Sequence, residues 1–249
     1  KGTPWQAAQA GAREIMEHIN RAKENQNIKA ILLRVNSPGG SSAASDAIYR
    51  ELNKFKQTGR PIVASMGDVA ASGGYYVSCL ADKIYANHAT MTGSIGVIMK
   101  LQNLEGLYNK LGIEHVTLKS GKYKDIGSAT REMTEKEKQM MEQMINQVYD
   151  RFVTVVAEGR KMDKSKVKEL ADGRIYNGER AKKLNLVDNL GTYYDAIDET
   201  AKLAGIKGEP KLVHYGQPSP LERLLSSVDK LVISLLGNSK LTTNTKLQS

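Results

Sequence analysis

The chain has 249 residues, of which 40% are hydrophobic and 25% are charged, values typical of a globular protein rather than a fibrous or disordered one. Its single cysteine excludes an internal disulfide framework and a cysteine-rich metal site, and we expect neither a metal nor a cofactor. The formal net charge is +9, but the basic residues are dispersed and not interleaved with aromatic residues, so no nucleic-acid partner is predicted.

Helix-like and strand-like segments alternate along the first half of the chain. The predicted elements are helix 6–25, strand 28–35, helix 41–56, strand 61–65, helix 72–80, strand 83–87, helix 104–111 and strand 115–118. Glycine-containing turns join the strands to the helices that follow them. This alternation predicts an α/β fold with parallel strands.

The longest predicted helix opens at a capping box. Thr134 is its N-cap and Glu137 lies three residues later, the spacing at which the two side chains satisfy each other's backbone N–H groups. The helix is predicted to end near Gly159. Met140 and Met144 begin an apolar stripe at helical spacing, which indicates a core face more often than a peptide-binding surface.

The last part of the sequence divides into a continuing domain and an extension. Helical or turn elements are predicted over 167–171, 181–184 and 193–203. After Gly208 the pattern becomes irregular, and an amphipathic helix over 221–236 precedes a polar tail over 240–249. We therefore expect a catalytic domain over 1–208 and a C-terminal extension over 209–249.

Two glycine-rich turns carry the candidate chemistry. The turn that ends at Gly39 and Gly40 follows a buried strand and aims backbone N–H groups into a cleft, which suits an oxyanion or a phosphate, but it lacks the lysine of a phosphate-binding loop. The second turn places Ser72 where a strand becomes a helix, as in a nucleophile elbow. Because a serine before a helix is most often an N-cap, this turn alone does not establish a nucleophile.

A nucleophilic serine needs a base. The four histidines lie outside the glycine-rich turns and have no acidic residue at local spacing: His18, His88, His115 and His214. A lysine can serve if it is desolvated enough for its pKa to fall from about 10.4 towards neutrality. Lys119, Lys122 and Lys124 stand out because they lie in an irregular loop before the capped helix, and chemistry alone does not choose among them.

The ordered motifs resemble the signal peptide peptidase A family. They are Asn36–Gly40, Ala70–Tyr76, Thr92–Val97, Ser120–Asp125, Arg131–Thr134 and Asp172–Gly178. The resemblance covers roughly Ile28 to Gly191 and is to the short, single-domain bacterial form. It implies the fold shared by Clp protease and crotonase enzymes, an α/β fold of repeated strand–strand–helix units, in this chain with a C-terminal extension.

The resemblance also implies the roles of individual residues. Ser72 matches the nucleophile and Lys124 the general base of a Ser–Lys dyad, and Ser94 matches the serine that orients the lysine amine. The backbone N–H groups of Gly39 and Gly73 match the oxyanion hole. The implied enzyme is a serine endopeptidase that degrades remnant signal peptides after their release from preproteins.

Assembly and location are implied by the same resemblance. The family forms homo-oligomers in which neighbouring subunits share an active site, and an N-terminal segment anchors it to the cell membrane with the catalytic part on the extracytoplasmic side. The 249 residues contain neither that anchor nor the strand that usually precedes the first helix. Membrane attachment would then use a segment missing from this chain, and the sequence leaves open whether that anchor and strand lie upstream of Lys1.

Other functions remain open at this point. A Clp-like peptidase would use a Ser–His–Asp triad with His115 or His88, whereas a crotonase-like acyl-thioester enzyme would need only the donors of Gly39 and Gly73. A non-enzymatic scaffold would bind peptides on the methionine-rich helix. The dyad itself raises one question, because a carboxylate close to the base would raise the lysine pKa. We therefore expect the side chain of Asp125 to point away from Lys124.

Overall fold

The computed structural model describes residues 4–215, with side chains from Gly11 onward. The chain divides into two units, Lys1–Pro210 and Lys211–Ser249. All helices and strands of the described range belong to the first unit, and only residues 211–215 of the second unit are described. The helices are α1 Pro4–Glu24, α2 Ser42–Lys56, α3 Gly73–Ser78, α4 Glu105–Lys110, α5 Glu135–Arg160, α6 Lys164–Leu170, α7 Gly178–Lys183 and α8 Tyr193–Leu203. The strands are β1 Ile31–Ser37, β2 Ile62–Ala71, β3 Lys83–Ala86, β4 Met91–Gly93, β5 Ile175–Asn177 and β6 Asn189–Leu190.

Strand β2 is the centre of the sheet and changes partners along its length. Its first half pairs in parallel with β1 and β3, the pairing with β1 resumes at Ala70 after a register shift, and its last three residues pair in parallel with β4. Strand β6 extends the sheet beyond β3, and β5 pairs antiparallel with β4. The predicted α/β class is confirmed, with β5 as the strand that departs from parallel pairing. Because β2 exchanges partners, its far end projects past β3 and carries the turn at Ser72.

The two faces of the sheet are covered by different helices. Side chains of a strand alternate between faces, so Ile62 and Ala64 join the main core, whereas Val63 packs with Tyr85 and Ala196 of α8 in a smaller cluster. The main core also contains buried residues of α2, α3 and α5, among them Leu52, Phe55, Tyr75, Val155 and Val156. Burial on both faces explains why β2 reads as a nearly continuous apolar run.

Helix α5 begins as predicted but packs differently along its length. The Thr134 hydroxyl accepts from the Glu137 N–H and the Glu137 carboxylate accepts from the Thr134 N–H, which confirms the capping box. The apolar residues Phe152, Val153, Val155, Val156 and Ala157 are buried, whereas Met140 and Met144 are 38% and 51% exposed. The interpretation of the methionine stripe as core is therefore wrong for the first turns of α5.

Two further predictions differ from the structure. Strand β2 continues to Ala71 rather than ending at 65, because β4 supplies backbone partners for the extra residues. The predicted strand 115–118 is wrong: in the described chain it pairs with no strand, and Val116 and Leu118 are 85% and 93% exposed. An alternating pattern does not make a strand when no neighbouring strand is available to pair with it.

Some predictions concern residues or boundaries that the structure of residues 4–215 does not test. The amphipathic helix 221–236 and the polar tail 240–249 lie outside the described residues. The domain boundary after residue 208 stays a prediction. Among the helices of residues 4–215, none combines the length and the apolar character needed to cross a membrane.

The core assignment predicts a difference between two isoleucines in strands. Ile84 in β3 is fully buried, whereas Ile175 in β5 is 59% exposed. Ile84→Ala is expected to lower the free energy of unfolding by about 2–5 kcal/mol, because it leaves a cavity in the core. The matched Ile175→Ala change should cost less than about 1 kcal/mol. Urea unfolding followed by circular dichroism measures both, and equal losses would contradict the assigned core.

Candidate active site

Ser72 lies in a strained turn at the end of β2. Its backbone has φ 52° and ψ −120°, and a positive φ is uncommon for a residue with a side chain. Two bonds hold it there: the Ser72 N–H donates to the Gly93 carbonyl at 2.8 Å, and its own carbonyl accepts from the Tyr76 N–H at 2.8 Å. The side chain makes no capping hydrogen bond. Ser72 therefore does not have the ordinary N-cap role that its position suggests.

Gly39 packs directly against the Ser72 turn. Its φ is 99°, and a Cβ atom added there would lie 2.6 Å from the Gly73 nitrogen and 2.8 Å from the Ser72 Cβ. A Cβ atom added at Gly73 would in turn collide with the Ser45 hydroxyl oxygen. At Gly39 the positive φ and the nearby backbone leave room only for glycine, and the structure brings Gly39, Ser72 and Gly73 into contact distance.

The amide of Gly39 already has a partner. Its N–H donates to the Ser37 hydroxyl oxygen at 3.1 Å. An oxyanion held by Gly39 would have to replace that neutral acceptor, and a charged acceptor forms the stronger hydrogen bond. The assignment of Gly39 and Gly73 to an oxyanion hole stays a prediction, and their contact supports it.

A pocket of about 330 Å³ opens beside Ser72 and Gly73. Tyr76, Val97, Val148 and Phe152 give it a mainly apolar wall, and Asp46 and Arg151 are its charged residues; the rest of the lining is Gly40, Ser42, Ala43, Ser45, Gly96 and Gln147. The size and the apolar wall suit a side chain or a short stretch of an extended peptide.

The charges in this pocket compensate each other. The Tyr76 hydroxyl donates to the Asp46 carboxylate at 2.6 Å, and the Arg151 guanidinium lies 3.3 Å from the same oxygen. Burial raises the pKa of Asp46, but the hydrogen bonds from Tyr76 and Arg50 and the two arginine charges together lower it. Burial and the bond to Asp46 raise the pKa of Tyr76, which therefore stays protonated at neutral pH. Sequence analysis missed this network, because Asp46 and Arg151 are 105 residues apart.

Ser94 lies next to the Ser72 turn in the structure, whereas Lys124 does not line the pocket beside it. Ser94 follows Gly93, the residue that bonds to Ser72, and has a φ of 49°. Lys124 lies in an exposed loop of turns and is not among the residues that line the pocket. Within residues 11–215 its amine has no hydrogen bond or ion pair. The single chain thus assembles Ser72 with the glycines but does not bring Lys124 to the pocket, and both roles stay predictions.

The histidine alternative gains no support from the geometry. His115 packs edge-on against the Tyr108 ring, with the centroids 4.4 Å apart, and His88 is exposed. Neither histidine lines the pocket at Ser72. In the described part of the chain, neither ring is hydrogen-bonded to a carboxylate, as a triad histidine requires.

The Asp125 carboxylate is paired with residues other than Lys124. Its carboxylate binds Arg131 through two bonds of 2.9 Å and Lys119 through one of 2.7 Å. Arg131 also donates to the two oxygens of Glu137 at 2.9 and 2.6 Å. We call Lys119, Asp125, Arg131 and Glu137 the Arg131 clamp. It ties the loop that carries Lys124 to the first turn of α5.

The two carboxylates of the Arg131 clamp are ionised at neutral pH. Hydrogen bonds from Arg131 and Lys119 hold the pKa of Asp125 well below its ordinary value. The Arg131 bonds and the Thr134 N–H lower the pKa of Glu137 to about 2. The stabilisation from a carboxyl group with a depressed pKa is complete above its unfolded pKa of about 4 and is lost as pH falls through the folded value. Sequence analysis found Glu137 and Arg131 in motifs but not their contact.

These features define the class of the protein: an α/β domain in which a strained serine turn at the end of a central strand packs against a second glycine-rich turn. Residues 5–98 match the Clp protease family, which confirms the predicted fold. Residues 54–207 match peptidase family S49, more than half of the chain. The chain belongs to peptidase family S49.

Three relatives illustrate the likeness. A protein of Enterococcus faecium, provisionally named signal peptide peptidase SppA, is 44% identical over 190 residues, 76% of this chain and 55% of that protein. A provisionally named protease of Synechocystis is 39% identical over 241 residues, 96% of this chain and 87% of that protein. The chloroplastic serine protease SPPA of Arabidopsis thaliana is 36% identical over 228 residues, 90% of this chain and 34% of that protein.

The matches confirm the predicted family and enzyme class. The resemblance to signal peptide peptidase A, stated above from the motifs, is confirmed by the family and by the relatives. They identify the domain as that of a serine-type peptidase, a hydrolase of peptide bonds. The chain spans about half the length of the Enterococcus relative and about a third of the Arabidopsis one.

Proposed function

We propose that the domain is a serine endopeptidase in which Ser72 is the nucleophile and Lys124 the general base. The observation that carries the proposal is the Ser72 turn, which has a positive φ, makes no capping bond through its hydroxyl and packs against Gly39 and Gly73 beside a pocket. A strained serine aimed at a cleft is the arrangement that acyl-transfer enzymes use.

In the proposed reaction the neutral Lys124 amine takes the proton of Ser72 Oγ as that oxygen attacks the peptide carbonyl carbon. The Gly39 and Gly73 N–H groups hold the resulting oxyanion; loss of one such donor typically costs about 10²–10³-fold in rate. Lysine then gives the proton to the leaving amine, and the carbon–nitrogen bond breaks. Water hydrolyses the acyl-enzyme by the same path. Ser94 orients the amine.

Remnant signal peptides are the proposed substrates. Their apolar side chains suit the wall formed by Tyr76, Val97, Val148 and Phe152. The lining holds one aspartate and one arginine, Asp46 and Arg151, and Arg50 pairs with Asp46 from outside it, so the surface offered to a side chain is mainly apolar. The name of the Enterococcus relative supports the same substrate class.

We further propose that the active enzyme is a homo-oligomer whose subunits share each site. Lys124 is exposed and away from the pocket of its own chain, so a neighbouring subunit is the natural source of the base. Large apolar side chains are exposed between residues 98 and 118, and surfaces of this kind commonly mark subunit contacts. They are Ile98, Met99, Leu101, Leu107, Leu111, Ile113, Val116 and Leu118.

The proposed location is the extracytoplasmic side of the cell membrane. Former signal peptides are left in the membrane after cleavage of the preprotein, so an anchored peptidase meets them there.

A serine-reactive fluorophosphonate tests the proposal. We expect the probe to modify Ser72 alone in the folded protein and peptide hydrolysis to fall in proportion, because only an activated serine reacts quickly. Mass spectrometry maps the modified residue, and heat-denatured protein serves as the control. An active protein that resists the probe, or that is labelled at another serine, would overturn the assignment of Ser72. A folded protein that neither hydrolyses peptides nor reacts with the probe would favour a crotonase-like or non-enzymatic function.

A further inference from the structure

The proposed base has an acidic neighbour in sequence. Asp125 follows Lys124, and the Cα atoms of adjacent residues are about 3.8 Å apart. An unpaired carboxylate there would stabilise the protonated amine and oppose its action as a base. The Asp125 side chain is 12% exposed and is bonded to Arg131 and Lys119, not to Lys124.

Arg131 is suited to hold this carboxylate in place. It binds Asp125 through two parallel bonds and Glu137 through two more, and its Nη1 also donates to the Glu132 carbonyl at 2.8 Å. Glu137 is 3% exposed and fixed by the Thr134 N–H. The guanidinium is therefore anchored on the helix side, and it fixes the direction of Asp125 on the loop side. Two-pronged pairing of this kind requires arginine rather than lysine.

We propose that Arg131 is a positioning residue for Lys124: it turns the Asp125 carboxylate away from the neighbouring amine and cancels its charge. This inference rests on the proposed function, since it assigns Lys124 the role of base. Arg131 acts through Asp125 and contacts neither substrate nor Ser72 in the proposed reaction.

The charge balance around the loop makes the proposal specific. Two cations and two anions of the Arg131 clamp, Lys119 and Arg131 with Asp125 and Glu137, give no net charge. Other charged groups around the clamp include Lys122, whose amine lies 5.5 Å from the Tyr123 ring centroid, and Glu105 of α4, which accepts the Glu132 N–H at 3.1 Å. Glu132 lies just before α5, and the Glu135–Lys138 ion pair lies at its start. Removing Arg131 leaves the clamp negative, and removing the Asp125 charge leaves it positive.

The test is the pH–rate profile of four variants with a peptide substrate. Arg131→Gln should move the midpoint of the rising limb to higher pH, because the freed Asp125 favours the protonated amine. Asp125→Asn should move it to lower pH. A unit charge within about 10 Å corresponds to a shift of about 0.5–1 pH unit in each case. The double variant should return the midpoint to that of the unmodified enzyme, and Arg131→Lys should move it less than Arg131→Gln.

A merely structural role predicts another outcome. Shifts of the two single variants in the same direction, or a lower kcat with an unchanged midpoint, would overturn the proposal. If Arg131→Gln does not fold, the profiles of Asp125→Asn and Arg131→Lys test the proposal instead. An unchanged midpoint in Asp125→Asn would then overturn the proposal.

A second readout separates this inference from the proposed function. An amine-reactive reagent, applied over a range of pH in the Ser72→Ala background, reports the protonation of Lys124 by peptide mass spectrometry without any catalysis. The midpoint pH of Lys124 labelling should rise in Arg131→Gln and fall in Asp125→Asn, as in the rate profiles. Failure of the Lys124 assignment itself would show separately, as full activity of Lys124→Ala.

Discussion

Replacing Ser72 with alanine is expected to abolish peptide hydrolysis while the fold remains intact. Loss of the attacking oxygen removes the covalent step, and variants of this kind in serine peptidases lose at least about 10³-fold in kcat. The hydroxyl makes no capping bond, so its removal should change the free energy of unfolding by less than about 1 kcal/mol. Hydrolysis of a quenched fluorescent apolar peptide and urea unfolding measure the two quantities.

Ser42→Ala is the matched control for this change. Ser42 lines the same pocket but lies on the first turn of α2, away from the strained turn. Its replacement should leave kcat within about threefold. Turnover that survives in folded Ser72→Ala protein would exclude a serine nucleophile at this position, and equal losses in both variants would point to a packing effect on the pocket.

Much of the fold could be predicted because its elements carry local signals. The bounds of α8 agree with the prediction, and the capping box marked the start of α5. The strand predicted over 115–118 failed because pairing is a long-range property: without a partner strand the same alternation leaves Val116 in solvent. The exposure of Met144 has a related cause. Helical spacing reveals that a face is apolar, not whether another element covers it.

The candidate site also contains features that local sequence predicts and contacts that it does not. The turns at Gly39 and Ser72 are contiguous motifs, so their glycines and serine were visible in the sequence, and their contact follows from the parallel pairing of β1 and β2. The contact between Asp46 and Arg151 depends on how α2 packs near α5, which no local pattern encodes. Asp125, Arg131 and Glu137 of the Arg131 clamp lay in motifs or in the capping box, but the contacts among them depend on the tertiary fold and could not be predicted.

Lys124→Ala is expected to be inactive, with a loss of about 10²–10⁴-fold in kcat, the usual contribution of a general base. It should be at least as stable as the unmodified protein, because the exposed amine has no hydrogen bond or ion pair to residues 11–215. Lys122→Ala is the matched control two residues away and should retain activity within about threefold. An inactive Lys122→Ala beside an active Lys124→Ala would move the base to Lys122.

Mixing inactive variants tests where the base comes from. Ser72→Ala and Lys124→Ala proteins are combined under conditions that allow subunit exchange, and mixed oligomers are verified by native mass spectrometry. If neighbouring subunits share a site, about one interface in four of an equal mixture pairs an intact Ser72 with an intact Lys124, and a corresponding fraction of activity returns. Verified mixed oligomers without any activity would place both residues in one subunit. The exposed Lys124 loop would then have to fold over its own pocket during catalysis, a movement of that loop on substrate binding rather than a contact between subunits.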